Sequence, residues 1–254
     1  MDVYSAVRAI GDAGSEYVEL WGEVPHAYPE MVDKKRLRDV LSTYSMVVTA
    51  HAPFTDLSPA SPFQPVKGAI EETMEAFVEF CAEVGAMMIT VHPGSVHSEA
   101  LIPQAADSSR GLLNRMAKAA MGRLSVNIEN MVDAPSKYHY PLGSTQESLE
   151  GLLDGVEGSR FTLDTGHAHA SGQDPSKWSR ELRGRLAEIH LSDNAGSADD
   201  HLVPGEGTIS FDGLMEGASP DVLVCLELNP HRYSPGQVLG SLAKAKGFLG
   251  QGRA

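Results

Sequence analysis

At 254 residues, 42% hydrophobic and 21% charged, the chain has the composition of a globular protein long enough to bury one large core. Its 20 basic and 34 acidic residues give a formal charge of −14, which argues against a broad phosphate-binding surface. No run approaches the ~20 apolar residues of a membrane helix, and MDVYSAVRAI lacks the basic start and apolar core of a secretion signal, so a cytoplasmic protein with no membrane partner is expected.

The chain opens on helical spacing from Val3 to Ala13, stopped by Gly14. The apolar run Tyr17 to Trp21 reads as the first strand, and the basic cluster Lys34 to Arg38 as a solvated helix face. A second strand, Met46 to His51, is followed by the Pro-rich segment Asp56 to Pro65. Val66 to Val84 then carries Ile70, Met74, Phe77, Val78 and Cys81 at helical spacing. Further strands are expected at Met87 to His92, Leu124 to Glu129, Phe161 to Asp164, Ala187 to Leu191 and Val222 to Leu228. Between them lie the Pro-rich loop Met131 to Gly143 and a second basic cluster, Arg180 to Arg185, again read as a solvated face. Cys81 falls in a helix and Cys225 in a strand. Two isolated cysteines suit a reducing compartment, and neither is assigned to metal.

These strand runs are apolar on both faces, as strands of a covered parallel sheet are. They recur at about one βα unit's spacing, which predicts a single (β/α)8 TIM barrel domain over residues 1–254. Seven runs are present rather than eight, because the strand that should precede the Val3 to Ala13 helix is missing. Either the natural start lies upstream of Met1 or the barrel lacks its first strand. A gap is therefore expected beside Tyr17 to Trp21, with an exposed edge that would favour a homo-oligomer.

Nine residues able to hold metal sit at or near strand ends: His51, His92, Glu129, Asp164, His167, His190, Asp199, His201 and Glu227. A parallel barrel gathers its carboxyl strand ends at one face, so these residues should converge. Five imidazoles and four carboxylates exceed the needs of one ion and suit two or three. Glu129 and Glu227 lie in apolar strands, where an unpaired carboxylate is expensive and a cation is the simplest counter-charge. A structural, hydrogen-bonded role is the plainer reading of any one of the histidines, but not of the nine together. His26, His97, His139, His169 and His231 have no partner motif and stay outside the expected site.

In chain order, HAPF, HPG, IEN, LDTGH, IHLSD, D-x-H before PGEG, and the Glu of LEL resemble the xylose isomerase-like TIM barrels, from about Tyr17 to Glu227. That superfamily includes the endonuclease IV type (AP endonuclease family 2) and many sugar isomerases and epimerases. The endonuclease IV resemblance implies zinc on all nine positions. His51, His92 and Glu129 would hold one ion; Glu129, Asp164, His190 and Glu227 a second; and His167, Asp199 and His201 a third. The activity implied is metal-assisted phosphodiester hydrolysis of abasic DNA. The isomerase and epimerase resemblance implies one divalent ion, Mn²⁺ or Mg²⁺, on Glu129, Asp164, His190 and Glu227. Glu129 and Glu227 would then be the catalytic pair, moving a proton on a small sugar-like substrate. The complete ligand set tilts the expectation towards hydrolysis. Against DNA stand an acidic GEVPHAYPE segment, Phe54 where a DNA-contacting Tyr is expected, and the bulky loop after Asn130.

Overall fold

Alternation of capped helices with strands buried on both faces builds the fold seen in the computed structural model, which describes residues 1–133 and 139–250. Helix α1 (Val3–Asp12) is capped by Asp2, whose carboxylate accepts from the Ser5 amide at 2.8 Å, and it buries Tyr4 and Val7. Strand β1 (Tyr17–Trp21), helix α2 (Lys34–Thr43) and strand β2 (Val47–His51) follow. Helix α3 (Gln64–Val84) has proline in its first turn and a left-handed Gly85 at its end. It buries the predicted stripe, with Phe77 fully enclosed.

The rest of the chain runs β3 (Met88–Val91), β4 (Ser95–Val96), α4 (Ile102–Ala120), β5 (Ser125–Glu129), β6 (Tyr140–Pro141), α5 (Gln146–Asp154), β7 (Arg160–Asp164), α6 (Thr165–Ala170), α7 (Pro175–Glu181), β8 (Leu186–Leu191), β9 (Leu223–Leu226) and α8 (Pro235–Gly250). Strand bounds differ from the expectation by a few residues at most. His92 and Glu227 consequently stand just beyond β3 and β9 rather than inside them. The β4–β6 pair is antiparallel and was not foreseen; two-residue strands carry no periodicity to read. It ties the segment after β3 to the loop Met131 to Gly143, of which residues 134–138 lie outside the described residues.

The main sheet has the order β1-β2-β3-β5-β7-β8-β9, every pair parallel, nearly closed into a barrel. β9 lies alongside β1, but among the described residues no ladder joins them. The gap expected beside β1 is there. It forms a cavity of about 350 Å³ walled by Ile10, Val18, Leu191, Val224, Leu226 and Leu242.

Alternation along each strand then sets the barrel's lining. Tyr17 and Glu19, Thr49 and His51, Thr90 and His92, Asn127 and Glu129, Thr162 and Asp164, Glu188 and His190, and Cys225 and Glu227 are pairs two residues apart, one pair per strand. The first member of most pairs forms a polar layer across the interior. Thr90 Oγ1 and Thr162 Oγ1 meet at 2.7 Å, although β5 separates their strands. Thr90 and Thr49 donate to the two Glu188 oxygens at 2.9 and 3.0 Å, and Tyr17 donates to the same carboxyl group. The second members form the layer above, at the mouth. Between the strands and the outer helices the core is aliphatic and aromatic, with Ile89, Ile128, Phe161, Leu163 and Ile189 fully buried.

Candidate metal centre

Strand register delivers the donors to one place. Asp164 stands opposite His190, and His190 opposite Cys225, two residues before Glu227. At the centre is Glu129, 1% exposed. Its Oε2 lies 3.2 Å from His51 Nε2 and 3.1 Å from His92 Nε2. Its Oε1 lies 3.4 Å from His190 Nδ1 and 3.5 Å from His167 Nδ1. His190 Nδ1 is also 3.0 Å from Glu227 Oε2. Asp199 Oδ2 lies between His167 Nε2 at 3.2 Å and His201 Nε2 at 2.9 Å. All nine residues expected from the sequence therefore meet in one cluster.

Local structure aims each side chain. Asp164 closes β7 and caps α6, accepting from the His167 amide at 2.6 Å, so one short turn places both residues. Gly166 between them is required by space: a Cβ there would come within 2.5 Å of Ser192 Oγ and 3.1 Å of Asp199 Oδ1. The loop carrying Asp199 and His201 is held from below by buried Asp193. Its two oxygens accept from the amides of Asn194, Gly205, Gly207 and Ile209 at 2.8 to 3.0 Å. His201 itself has a left-handed backbone, φ 47°, a conformation that costs a non-glycine residue about 1–2 kcal/mol.

Backbone carbonyls fix two of the imidazoles. His51 Nδ1–H donates to Ala52 O at 2.9 Å, and His167 Nδ1–H to Asn130 O at 2.7 Å, which turns both Nε2 atoms inward. His190 is reversed. Its Nε2 meets Glu19 Oε2 at 3.1 Å, and its Nδ1 faces the centre.

Four donor sets bring their ligand atoms within 4.8 Å of one another: Glu129, Asp164, His190 and Glu227; His167, Asp199 and His201; His51, Glu129 and His190; and, on the other side of His190, Glu19, Glu188 and His190. The third set differs from the grouping the endonuclease resemblance implied, since His190 rather than His92 joins His51 and Glu129. Four buried atoms facing the mouth make no hydrogen bond among the described residues: Asp164 Oδ2, Asp199 Oδ1, and His190 Nδ1 and Glu227 Oε2, which lie 3.0 Å apart without hydrogen-bond geometry. An unsatisfied buried polar atom costs about 1–3 kcal/mol. Three of the four, on Asp164, His190 and Glu227, fall in one donor set, and two carboxylate oxygens with an imidazole nitrogen fit a divalent cation.

The charges are strongly interdependent. Burial opposes the charged form of His51, but Glu129 outweighs it and raises His51 to about 9. Burial likewise opposes protonated His201, and its hydrogen bond to Asp199 raises it to about 9. Burial lifts Asp164 to about 6 against the pull of His167. In the layer below, burial, with Glu19 nearby, lifts Glu188 to about 7. Above the centre a cavity of about 380 Å³ is rimmed by Phe54, Met131, Val132, His139 and Pro141, with His201 and Glu227 on its floor. Phe54 stacks on His92, ring centroids 4.5 Å apart. His139, set outside the site on sequence grounds, is at this rim.

Glu19, Tyr17 and Glu188 were not foreseen. The strands, expected to be apolar on both faces, are apolar only outward, but the signal was available: each acid stands inside a largely apolar run, YVELW and AEIHL, which is the argument already applied to Glu129 and Glu227.

Comparison with known proteins agrees with this architecture. The chain is 24% identical to a D-tagatose 3-epimerase-like protein of known structure, with a TM-score of 0.85 over 98% of this chain and 93% of that one. It is 16% identical to the IolI protein, solved with a bound zinc atom, with a TM-score of 0.82 over 99% and 94%. At these identities the likeness is one of fold. Among curated relatives, the fructoselysine 3-epimerase of Shigella flexneri is 20% identical over 255 aligned positions, covering 94% of this chain and 91% of the relative. The family model described as xylose isomerase-like TIM barrel matches residues 7–231, and the chain belongs to that family.

Proposed function

We propose that this protein is a divalent-metal-dependent isomerase or epimerase acting on a sugar or sugar-like hydroxy-carbonyl compound, with Glu129, Asp164, His190 and Glu227 holding the ion. The observation that carries this reading is the set of buried atoms without a hydrogen bond on three of those four residues, Asp164 Oδ2, His190 Nδ1 and Glu227 Oε2. The epimerase relatives favour it over hydrolysis. An ion bound there polarises a substrate carbonyl and so acidifies the neighbouring C–H.

The remaining chemistry belongs to the chain's own residues. Glu129 and Glu227 are both held below the ordinary carboxylate range; burial opposes this, and the neighbouring imidazoles, His92 and His190 for Glu129 and His190 for Glu227, overcome it. Each is therefore ionised near neutral pH, the form a general base needs. One takes the proton from the carbon beside the carbonyl, leaving an enediol(ate). The other glutamate, once it has taken up a proton from solvent, would deliver it to that carbon from the opposite side and invert the centre, and the first would then release its proton to solvent; return of the abstracted proton by the same carboxylate to the neighbouring carbon would instead move the carbonyl. The apolar residues Phe54, Met131, Val132 and Pro141 line the mouth above this exchange.

The set His167, Asp199 and His201 favours a second reading, phosphodiester hydrolysis with two or three zinc ions, because proton transfer between two glutamates has no need of it. One experiment tests both. Parent, Glu227→Gln and His201→Ala proteins are each offered a panel of ketoses and an abasic-site oligonucleotide, with metal content measured. Under the proposal the parent turns over a sugar, Glu227→Gln abolishes turnover and His201→Ala loses little. Cleavage of the oligonucleotide that falls roughly a hundredfold in His201→Ala, without sugar turnover, would replace it with hydrolysis.

A further inference from the structure

Seven strands each place a polar or potentially ligating residue on the barrel's inner face near its mouth, and on β1 that residue is Glu19. Six of the seven, His51, His92, Glu129, Asp164, His190 and Glu227, belong to the candidate centre. Glu19 is not among the donors around Glu129, yet its Oε2 lies 3.1 Å from His190 Nε2. His51 and His167 lean on neutral backbone carbonyls through Nδ1, whereas His190 leans on a carboxylate through Nε2 and presents Nδ1 to Glu227 at 3.0 Å and Glu129 at 3.4 Å.

We infer that Glu19 is a positioning residue for the centre: it holds the His190 Nε2–H and so commits Nδ1 to the metal. The inference rests on the reading of His190 as a ligand. A carboxylate behind a ligating imidazole selects the tautomer, locks the ring and makes the inward nitrogen more basic, and loss of such a partner typically weakens metal binding 10- to 100-fold. Glu19 is itself restrained. Thr49 Oγ1 lies 3.4 Å from its Oε2 and also reaches Glu188, which Tyr17 and Thr90 hold from other strands. The polar layer inside the barrel thus supports the carboxylate that supports the ligand. Glu19 also borders the gap between β1 and β9, so its side chain is set by this network rather than by packing from a neighbouring strand on that side.

The test compares the full chain with Glu19→Gln and Glu19→Leu. Affinity for Zn²⁺ and Mn²⁺ is measured by competition with a chromogenic chelator. Histidine tautomers are read from ¹⁵N spectra of the ¹¹³Cd²⁺-loaded proteins, with circular dichroism as the check on folding. Glu19→Leu should bind 10- to 100-fold more weakly, with His190 spread over both tautomers. Glu19→Gln keeps an acceptor but not the charge, so it should hold the parent's tautomer and lose only part of the affinity; it also serves should the Leu variant fail to fold. In the parent, ¹¹³Cd should couple to His190 Nδ1. Coupling to Nε2, or parent-like affinity and tautomer in a folded Glu19→Leu protein, would overturn the inference. Failure of the parent to bind any divalent ion would overturn both this inference and the proposed function. Metal binding that tracks Glu19 in a protein with no sugar turnover would leave the inference standing and remove only the epimerase reading.

Discussion

His51 and His201, both raised from an ordinary 6.5 to about 9, hold protons that a metal must displace. A group raised on folding contributes stability fully present below its unfolded value, here about 6.5, and lost as pH climbs through about 9. Chelator-stripped protein should therefore lose Tm across that window. Metal affinity should rise over the same window, with protons released on binding, and should fall further below pH 6 as Asp164 takes up its own proton. Calorimetric titrations in buffers of different ionisation enthalpy would measure the release; binding independent of pH from 6 to 9 would contradict the donor assignment. Glu129→Gln should abolish turnover and metal retention while leaving the far-ultraviolet spectrum intact, since the aliphatic core between strands and helices does not involve it. Full activity and metal content in that variant would dismiss the cluster.

At the scale of elements, the loop from Asp199 to Ile209 is gathered around one side chain more than any other. Asp193 accepts four amides of this region, and Gly207 is needed because a Cβ there would overlap Asp193 Oδ1 and Asn194 O. Asp193→Ala should cost about 2–4 kcal/mol, several degrees of Tm, by leaving these amides without their charged acceptor. It should also weaken any ion held by His167, Asp199 and His201 more than one held by Asp164 and His190. Metal stoichiometry and thermal melts would show whether the two effects separate. The opening between β1 and β9 has its own consequence. Amides of β1 and β9 that face it have no ladder partner among the described residues, so they should exchange hydrogen faster than those of β5 and β7, which are paired on both sides. Equal protection in all four strands would mean that the barrel closes in solution.

Over the whole molecule, an ion bound only by the folded state should raise Tm, with about 2.7 kcal/mol gained when its free concentration is a hundred times Kd. Much of the fold was legible because it is written locally. Apolar runs at βα spacing predicted the strands, and helical spacing from Val66 to Val84 predicted α3. The gap beside β1 followed from finding seven strands where eight were expected. Donor chemistry was legible too, since a carboxylate in an apolar strand such as VNIEN or CLELNP must be neutralised wherever the strand lies. The same rule applies to Glu19 and Glu188 but was not carried to them, and nothing adjacent to either in sequence marks a partner: Glu19 meets His190 and Glu188 meets Thr49 and Thr90, all on other strands. The sequence by itself determined the period-two pairing of polar residues along each strand and the types of donor offered, because side-chain alternation is a property of one strand. Only the tertiary structure decided which histidine turns Nδ1 inward, which residues share Glu129, and that Glu19 stands behind the centre. Those are distances across a barrel, set by register and near-closure among strands far apart in the chain.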